Sequence, residues 1–316
     1  MAEKKIVAVV GATGSQGGGL VRAIAADREG PFVARAITRN PGSEKARALA
    51  ALGAEIVEAD SDRPASLERA FAGAYGAYCV TNFWEHVDPE RELRQASALA
   101  RATKAAGVEH VVWSTLEDTR LAVPLEDPRM PVLRGKYNVP HFDAKGEADE
   151  VFANEGAPTS YMMAAFYWDN FIHFGMAPRA NERGELVLAL PLGGAKLPGI
   201  ASEDIGRCAY GIFKRGSDAV GMRFGIAGDV LSGDEMAMAF GKALGRPVAF
   251  YDVPFDVYRA FDFPGADDLG NMFQFQQLFG DAFLDLRDVD LARSLDPDLQ
   301  DFESWVIAHA DDIPVG

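Results

Sequence analysis

The stretch PHFDAKGEADEVF, residues 140–152, sets His141 four positions before Lys145, so a helix there would carry an imidazole and an ammonium on one face. An imidazole can give or take a proton near neutrality, its unperturbed pKa being about 6.5. A cation one turn away pushes that value down and leaves the ring mostly neutral, a poorer acid. The ammonium of Lys145 could hold a ligand hydroxyl. The plain alternatives are a surface ion pair of Lys145 with Asp149, one turn on and worth roughly 0.2–0.5 kcal/mol, and a packing duty for His141 at a helix start. Tyr137, Tyr161 and Tyr167 are other conceivable acids, but none has the helical spacing to Lys145.

A second constellation lies at the other end of the chain, in VAVVGATGSQGGGL. Gly11, Gly14 and Gly17 follow an apolar strand and precede a helix that begins near Ser15. Such a turn needs residues without Cβ, first to bend and then to let a pyrophosphate approach the backbone. The unpaired N–H groups and positive dipole end of the helix then face the phosphates. Thr13 and Ser15 sit in the same turn, and the motif predicts dinucleotide binding. The second strand ends in ITRNP, where an acidic residue would suit a free ribose 2′-hydroxyl. Arg39 supplies instead a charged fork of donors for a 2′-phosphate, which favours NADP(H) over NAD(H). Asp60, Ser61 and Asp62, at the end of the third strand, are placed to border the adenine. Thr81, Asn82 and Phe83 end the fourth and would line the path to the nicotinamide, with Tyr167 and Asn170 beyond the sixth.

Alternating β-branched and amphipathic runs supply the elements that position these residues. Strands are expected over 4–10, 33–38, 54–60, 75–82, 109–115 and 159–166, with helices from Ser15, over 43–52, from Pro64, over 88–106 and over 141–154. That rhythm predicts an α/β fold, a Rossmann-type doubly wound parallel sheet over residues 1–166. From 167 to 316 the pattern changes to aromatic loops, separate helices (202–215, 232–245) and short strands. This reads as a smaller C-terminal α+β region forming a cleft, some of whose segments could return to the first half. Between the fifth strand and the next helix, the segment 121–140 carries Pro124, Pro128, Pro131 and Pro140, an irregular excursion that could act as a lid. The aromatic run FYWDNFIHF, 166–174, could wall an apolar pocket, although such a stripe is more often core.

The 316 residues suffice for a large core, and 48% hydrophobic with 25% charged residues is ordinary globular usage. No apolar run spans a bilayer, and the first residues lack the apolar region of a secretion signal, so a cytoplasmic, membrane-free protein is expected. Cys79 and Cys208 are too few and too isolated for a disulfide framework or a metal cluster. A formal net charge of -16 opposes nucleic acid and anionic lipid as partners.

The order of GxxGxxG, Arg39 in TRNP, VTNFWE (80–85), HFDAKGEADEVF (141–152) and FPGADDLGNMFQF (263–275) resembles the NmrA-like family of atypical short-chain dehydrogenases, in its HSCARG-type NADPH-sensor subgroup. The similar motifs run from about residue 4 to the C-terminal helix. The resemblance implies an NADP-binding Rossmann half, a smaller C-terminal region and a regulatory role. Active short-chain dehydrogenases place a tyrosine four residues before the lysine and a serine at the end of the fifth strand. Lys145 and Ser114 match, whereas His141 stands at the tyrosine position, as in the subgroup. Two functions are therefore expected. One is a redox sensor with a degenerate dehydrogenase site, acting on a protein partner. The other is an NADPH-dependent reductase of a small apolar quinone, imine, activated alkene or carbonyl. Either could be a monomer or a homodimer.

Overall fold

The computed structural model describes residues 3–315. Its first half alternates strand and helix as β1 (Lys5–Val9), α1 (Ser15–Ala26), β2 (Phe32–Thr38), α2 (Glu44–Ala51), β3 (Glu55–Glu58), α3 (Pro64–Phe71) and β4 (Gly76–Cys79). Then come α4 (Pro89–Ala105), β5 (His110–Thr115), α5 (Pro140–Glu155) and β6 (Thr159–Met163). All the pairings are parallel, and the strand order is Arg223–Gly225, β6, β5, β4, β1, β2, β3. β1 thus stands at the switch point between the two directions of winding, where such sheets leave a crevice beyond their strand ends. Both faces are covered, which is why β4 and β5 are buried at every position rather than at alternate ones.

The C-terminal half does not form a separate block. The strand Arg223–Gly225 completes the central sheet beside β6, with Phe224 opposite Met162. The helix Ser202–Arg215, read from sequence with the C-terminal region, packs on α1 instead. A Cβ on Gly206 would lie 2.2 Å from the Leu20 nitrogen, so the contact is backbone against backbone. Two three-stranded sheets hold the remainder. A second core between them gathers Phe166, Trp168 and Phe171 from the aromatic run with Phe240, Phe273, Phe302 and Trp305. Burial of each such ring is worth about 1.5–3 kcal/mol, so this run serves as core. No helix among the described residues is long and apolar enough to cross a membrane.

Candidate active site

At the glycine turn, Gly11 adopts φ 63° and its carbonyl accepts from the Gly14 N–H at 2.8 Å. A Cβ at Gly17 would come within 2.5 Å of the Gly11 oxygen, so Gly17 is needed to close the turn itself. Gly14 differs. Its backbone is extended (φ -89°, ψ -178°), and a Cβ there would meet only the Gly11 oxygen, at 3.2 Å. It caps α1 without any side-chain hydrogen bond, so the first N–H groups of α1, from Ser15 on, face the crevice uncapped. Beneath them Gln16 links two phenols, accepting from Tyr78 and donating to Tyr167. Ser114, nearly buried at the end of β5, lies near enough to Tyr78 to act on its hydroxyl, while Lys145 and His141 take other partners. Thr13 follows the buried Ala12 in the turn, and Asn170 opens the short helix Asn170–His173.

Arg39, at the end of β2, is engaged. Its guanidinium forms a two-pronged pair with Glu85, which raises the arginine pKa further and holds the Glu85 carboxyl below the usual carboxylate range. Asp60 and Asp62 add negative charge nearby. Asp62 is bound by Arg91, at 2.6 Å, and by Gln95, while the Asp60 N–H donates to Ser66 and Ser61 lies between them.

The nearly buried Lys145 has three acceptors for its three N–H groups: Glu92 Oε1 at 2.8 Å, Thr81 Oγ1 at 2.8 Å and the Thr81 carbonyl at 3.3 Å. The expected alternative of a surface pair with Asp149 is thereby corrected. Asp149 instead accepts from Trp113 and Thr115 of β5 and from Arg223 at the sheet edge, so its carboxylate is taken up there. Glu92 is wholly buried. Burial alone would raise its pKa, but the charge of Lys145 and hydrogen bonds from Lys145 and Thr81 outweigh that and hold it at about 2. His86 lies behind, its Nε2 3.5 Å from Glu92 Oε2. Glu92 is one of two acidic residues in the first turn of α4 and His86 precedes that helix, a pattern that singles out neither, so sequence reasoning missed both.

His141 is likewise fixed by a residue that sequence reasoning did not assign. Its Nδ1 lies 2.5 Å from Asp268 Oδ1 and its backbone N–H donates to Asp268 Oδ2 at 3.1 Å. Asp268 is 1% exposed, near the start of the helix Ala266–Asp285. It belongs to the FPGADDLGNMFQF block, whose Asn271 binds the carbonyls of Pro131 (2.8 Å) and Asn138 (2.6 Å), and whose Gln274 binds that of Arg129 (2.7 Å). The block therefore ties down the proline-rich segment and the start of α5 together. Trp84 roofs His141 at 4.8 Å between ring centroids, with Phe83 at 5.8 Å, while Asn82 precedes that turn. Trp84 can lie there because Gly265 (φ 86°) lacks a Cβ, which would come within 2.7 Å of the indole. The lysine cation expected to act on His141 is thus matched by Glu92, and the ring faces a carboxylate of its own. None of the three tyrosines joins the pair: Tyr137 reaches toward Glu90, Tyr161 toward the Asp149 carbonyl, and Tyr167 is held by Gln16.

The chain as a whole is similar to known proteins. An NmrA-like oxidoreductase of Aspergillus flavus, lnbB, is 29% identical over 299 residues, 89% of this chain and 86% of its own. Another, malD of Malbranchea aurantiaca, is 32% identical over 226 residues, 66% of this chain and 64% of its own. Among solved structures, the negative transcriptional regulator NmrA in complex with NAD superposes with a TM-score of 0.78 at 23% identity, covering 96% of this chain and 95% of NmrA. The triphenylmethane reductase of Citrobacter sp. with NADP(H) gives 0.75 at 20%, covering 97% and 99%. These likenesses support the fold. Residues 3–306 match the NmrA-like family, and this chain belongs to it.

Proposed function

We propose that this protein is a reductase that binds a reduced nicotinamide dinucleotide along the glycine turn and passes its hydride to a small unsaturated acceptor beside His141 and Lys145. The observation that carries the reading is Lys145: an ammonium kept nearly buried at the strand ends by a wholly buried carboxylate and a threonine. Holding a charge there costs several kcal/mol of desolvation, which an aliphatic residue would avoid. A site maintained against that cost is expected to use the charge. Bound there, the dinucleotide would supply the hydride. The residues fit it, with the cradle of Gly11, Gly14 and Gly17, the uncapped start of α1 and Arg39 at the ribose position. Arg39 favours the 2′-phosphate form, NADPH, provided that Glu85 yields its place. The oxidoreductase names of the curated relatives and the bound NAD and NADP(H) of the structural neighbours support the same reading. Calorimetric titration with NADPH and NADH, beside cofactor consumption against quinones, imines and carbonyls, tests it. Tight binding with no turnover of any acceptor would return the protein to the regulator reading.

A further inference from the structure

We infer that the pair His141–Asp268 is the proton donor of this site, with Asp268 as the residue that positions the ring, and that the acceptor is a neutral C=O or C=N group on a flat apolar molecule. The inference rests on the reductase reading above.

Among the residues first considered as acids, His141 combines a ring fixed by a carboxylate with a second nitrogen open to the surface. Lys145 has acceptors for all three of its hydrogens, Tyr137 and Tyr161 turn toward Glu90 and the Asp149 carbonyl, and Tyr167 accepts from Gln16 with burial pushing its phenol up to about 12. His141 Nδ1 faces the Asp268 carboxylate, which can only accept, so Nδ1 carries a hydrogen and the other nitrogen is left to exchange one. Among the described residues Nε2 has no hydrogen-bond partner, and it is not sealed from the surface. Trp84, 36% exposed, leaves an aromatic face beside it. A carboxylate behind a histidine with the far nitrogen open fixes both tautomer and aim.

A positioned donor matters most where the acceptor gathers charge on a strongly basic atom. Reduction of a neutral C=O or C=N is such a case, since the heteroatom would otherwise leave as an alkoxide or amide anion. A cationic acceptor takes hydride alone and needs no donor. In the balanced step, two electrons and a hydrogen arrive at carbon as hydride from the reduced nicotinamide, which is left oxidised. The ring donates as the imidazolium, with hydrogens on both nitrogens: the Nε2–H bond breaks, its electron pair stays on nitrogen, the proton forms the new O–H or N–H bond, and neutral imidazole protonated at Nδ1 is left. Water then returns a proton to Nε2.

The test compares two probes with NADPH, benzaldehyde and N-methylquinolinium, in wild type, His141→Gln and Asp268→Asn. The ratio of benzaldehyde to N-methylquinolinium turnover should fall by about 100-fold in both variants, chiefly through kcat. Nitrogen NMR of the imidazole in the chain alone should show the neutral ring protonated at Nδ1 in wild type and at Nε2 in Asp268→Asn. Should Asp268→Asn not fold, His141→Gln and the wild-type spectrum decide. A ratio that stays constant, or a wild-type ring protonated at Nε2, overturns the donor assignment and makes the pair a structural clip. Wild-type turnover of N-methylquinolinium alone overturns it too, yet leaves the reductase reading intact. Turnover of neither probe ends both.

Discussion

At the glycine turn, positioning is done by backbone within seven residues of sequence, from Gly11 to Gly17, whereas at the start of α5 each functional side chain is fixed from far away. Lys145 is held by Thr81, 64 residues distant, and by Glu92 on α4; His141 is held by Asp268, 127 residues distant. The first kind of site needs only a strand, a helix and missing Cβ atoms. The second needs the whole sheet in register and two further helices docked. Damage should accordingly show as lost binding at the first and as lost stability or lost chemistry at the second.

The largest effect is expected from Glu92→Ala, which would leave the Lys145 ammonium nearly buried without its counter-charge and cost about 3–5 kcal/mol in urea unfolding. The double variant Glu92→Leu/Lys145→Met should recover much of that stability while losing turnover. A loss below about 1 kcal/mol for Glu92→Ala would mean that the pair is solvated and that the contrast is overdrawn.

Gly17→Ala and Gly14→Val separate fold from ligand within the turn itself. The first forces a methyl against the Gly11 carbonyl and should cost about 1–3 kcal/mol of stability. The second should melt near wild type, because Gly14 has an ordinary φ and one moderate contact, yet lose on the order of 100-fold in NADPH affinity by calorimetry, about 2.7 kcal/mol. Wild-type affinity in Gly14→Val would move the cofactor off the turn.

The pH dependence of stability should also follow Glu92. Its carboxyl is held at about 2 in the folded chain, below its ordinary value, so the stabilisation is complete above the usual carboxylate range and is lost as pH falls toward 2. Denaturant midpoints measured down that range should drop more steeply in wild type than in Glu92→Gln. Parallel curves would deny Glu92 its role.

The smallest effect concerns the adenosine end, the one place where the local site meets a distant side chain. Glu85→Gln frees Arg39 from an exposed pair worth up to about 1 kcal/mol, so NADPH should bind up to about fivefold tighter with NADH unchanged. Arg39→Ala should act oppositely and with the same selectivity. Equal changes for both cofactors would show that Arg39 does not read the phosphate.

The sequence by itself determined whatever depends on local pattern. The glycine turn between an apolar strand and a helix, the five alternating βα units with their sixth strand and the shared face of His141 and Lys145 all follow from chain geometry over fewer than about twenty residues. Even the late FPGADDLGNMFQF block stood out by resemblance, but nothing in it said what it touches. Tertiary structure alone decided that Asp268 meets His141, that Lys145 takes Glu92 rather than Asp149, that Glu85 covers Arg39, and that Arg223–Gly225 returns to the central sheet. The reason is physical. A buried charge is compatible with folding only when an opposite charge is brought to it, and which carboxylate arrives is set by the docking of helices far apart in sequence, on which spacing along the chain has no hold.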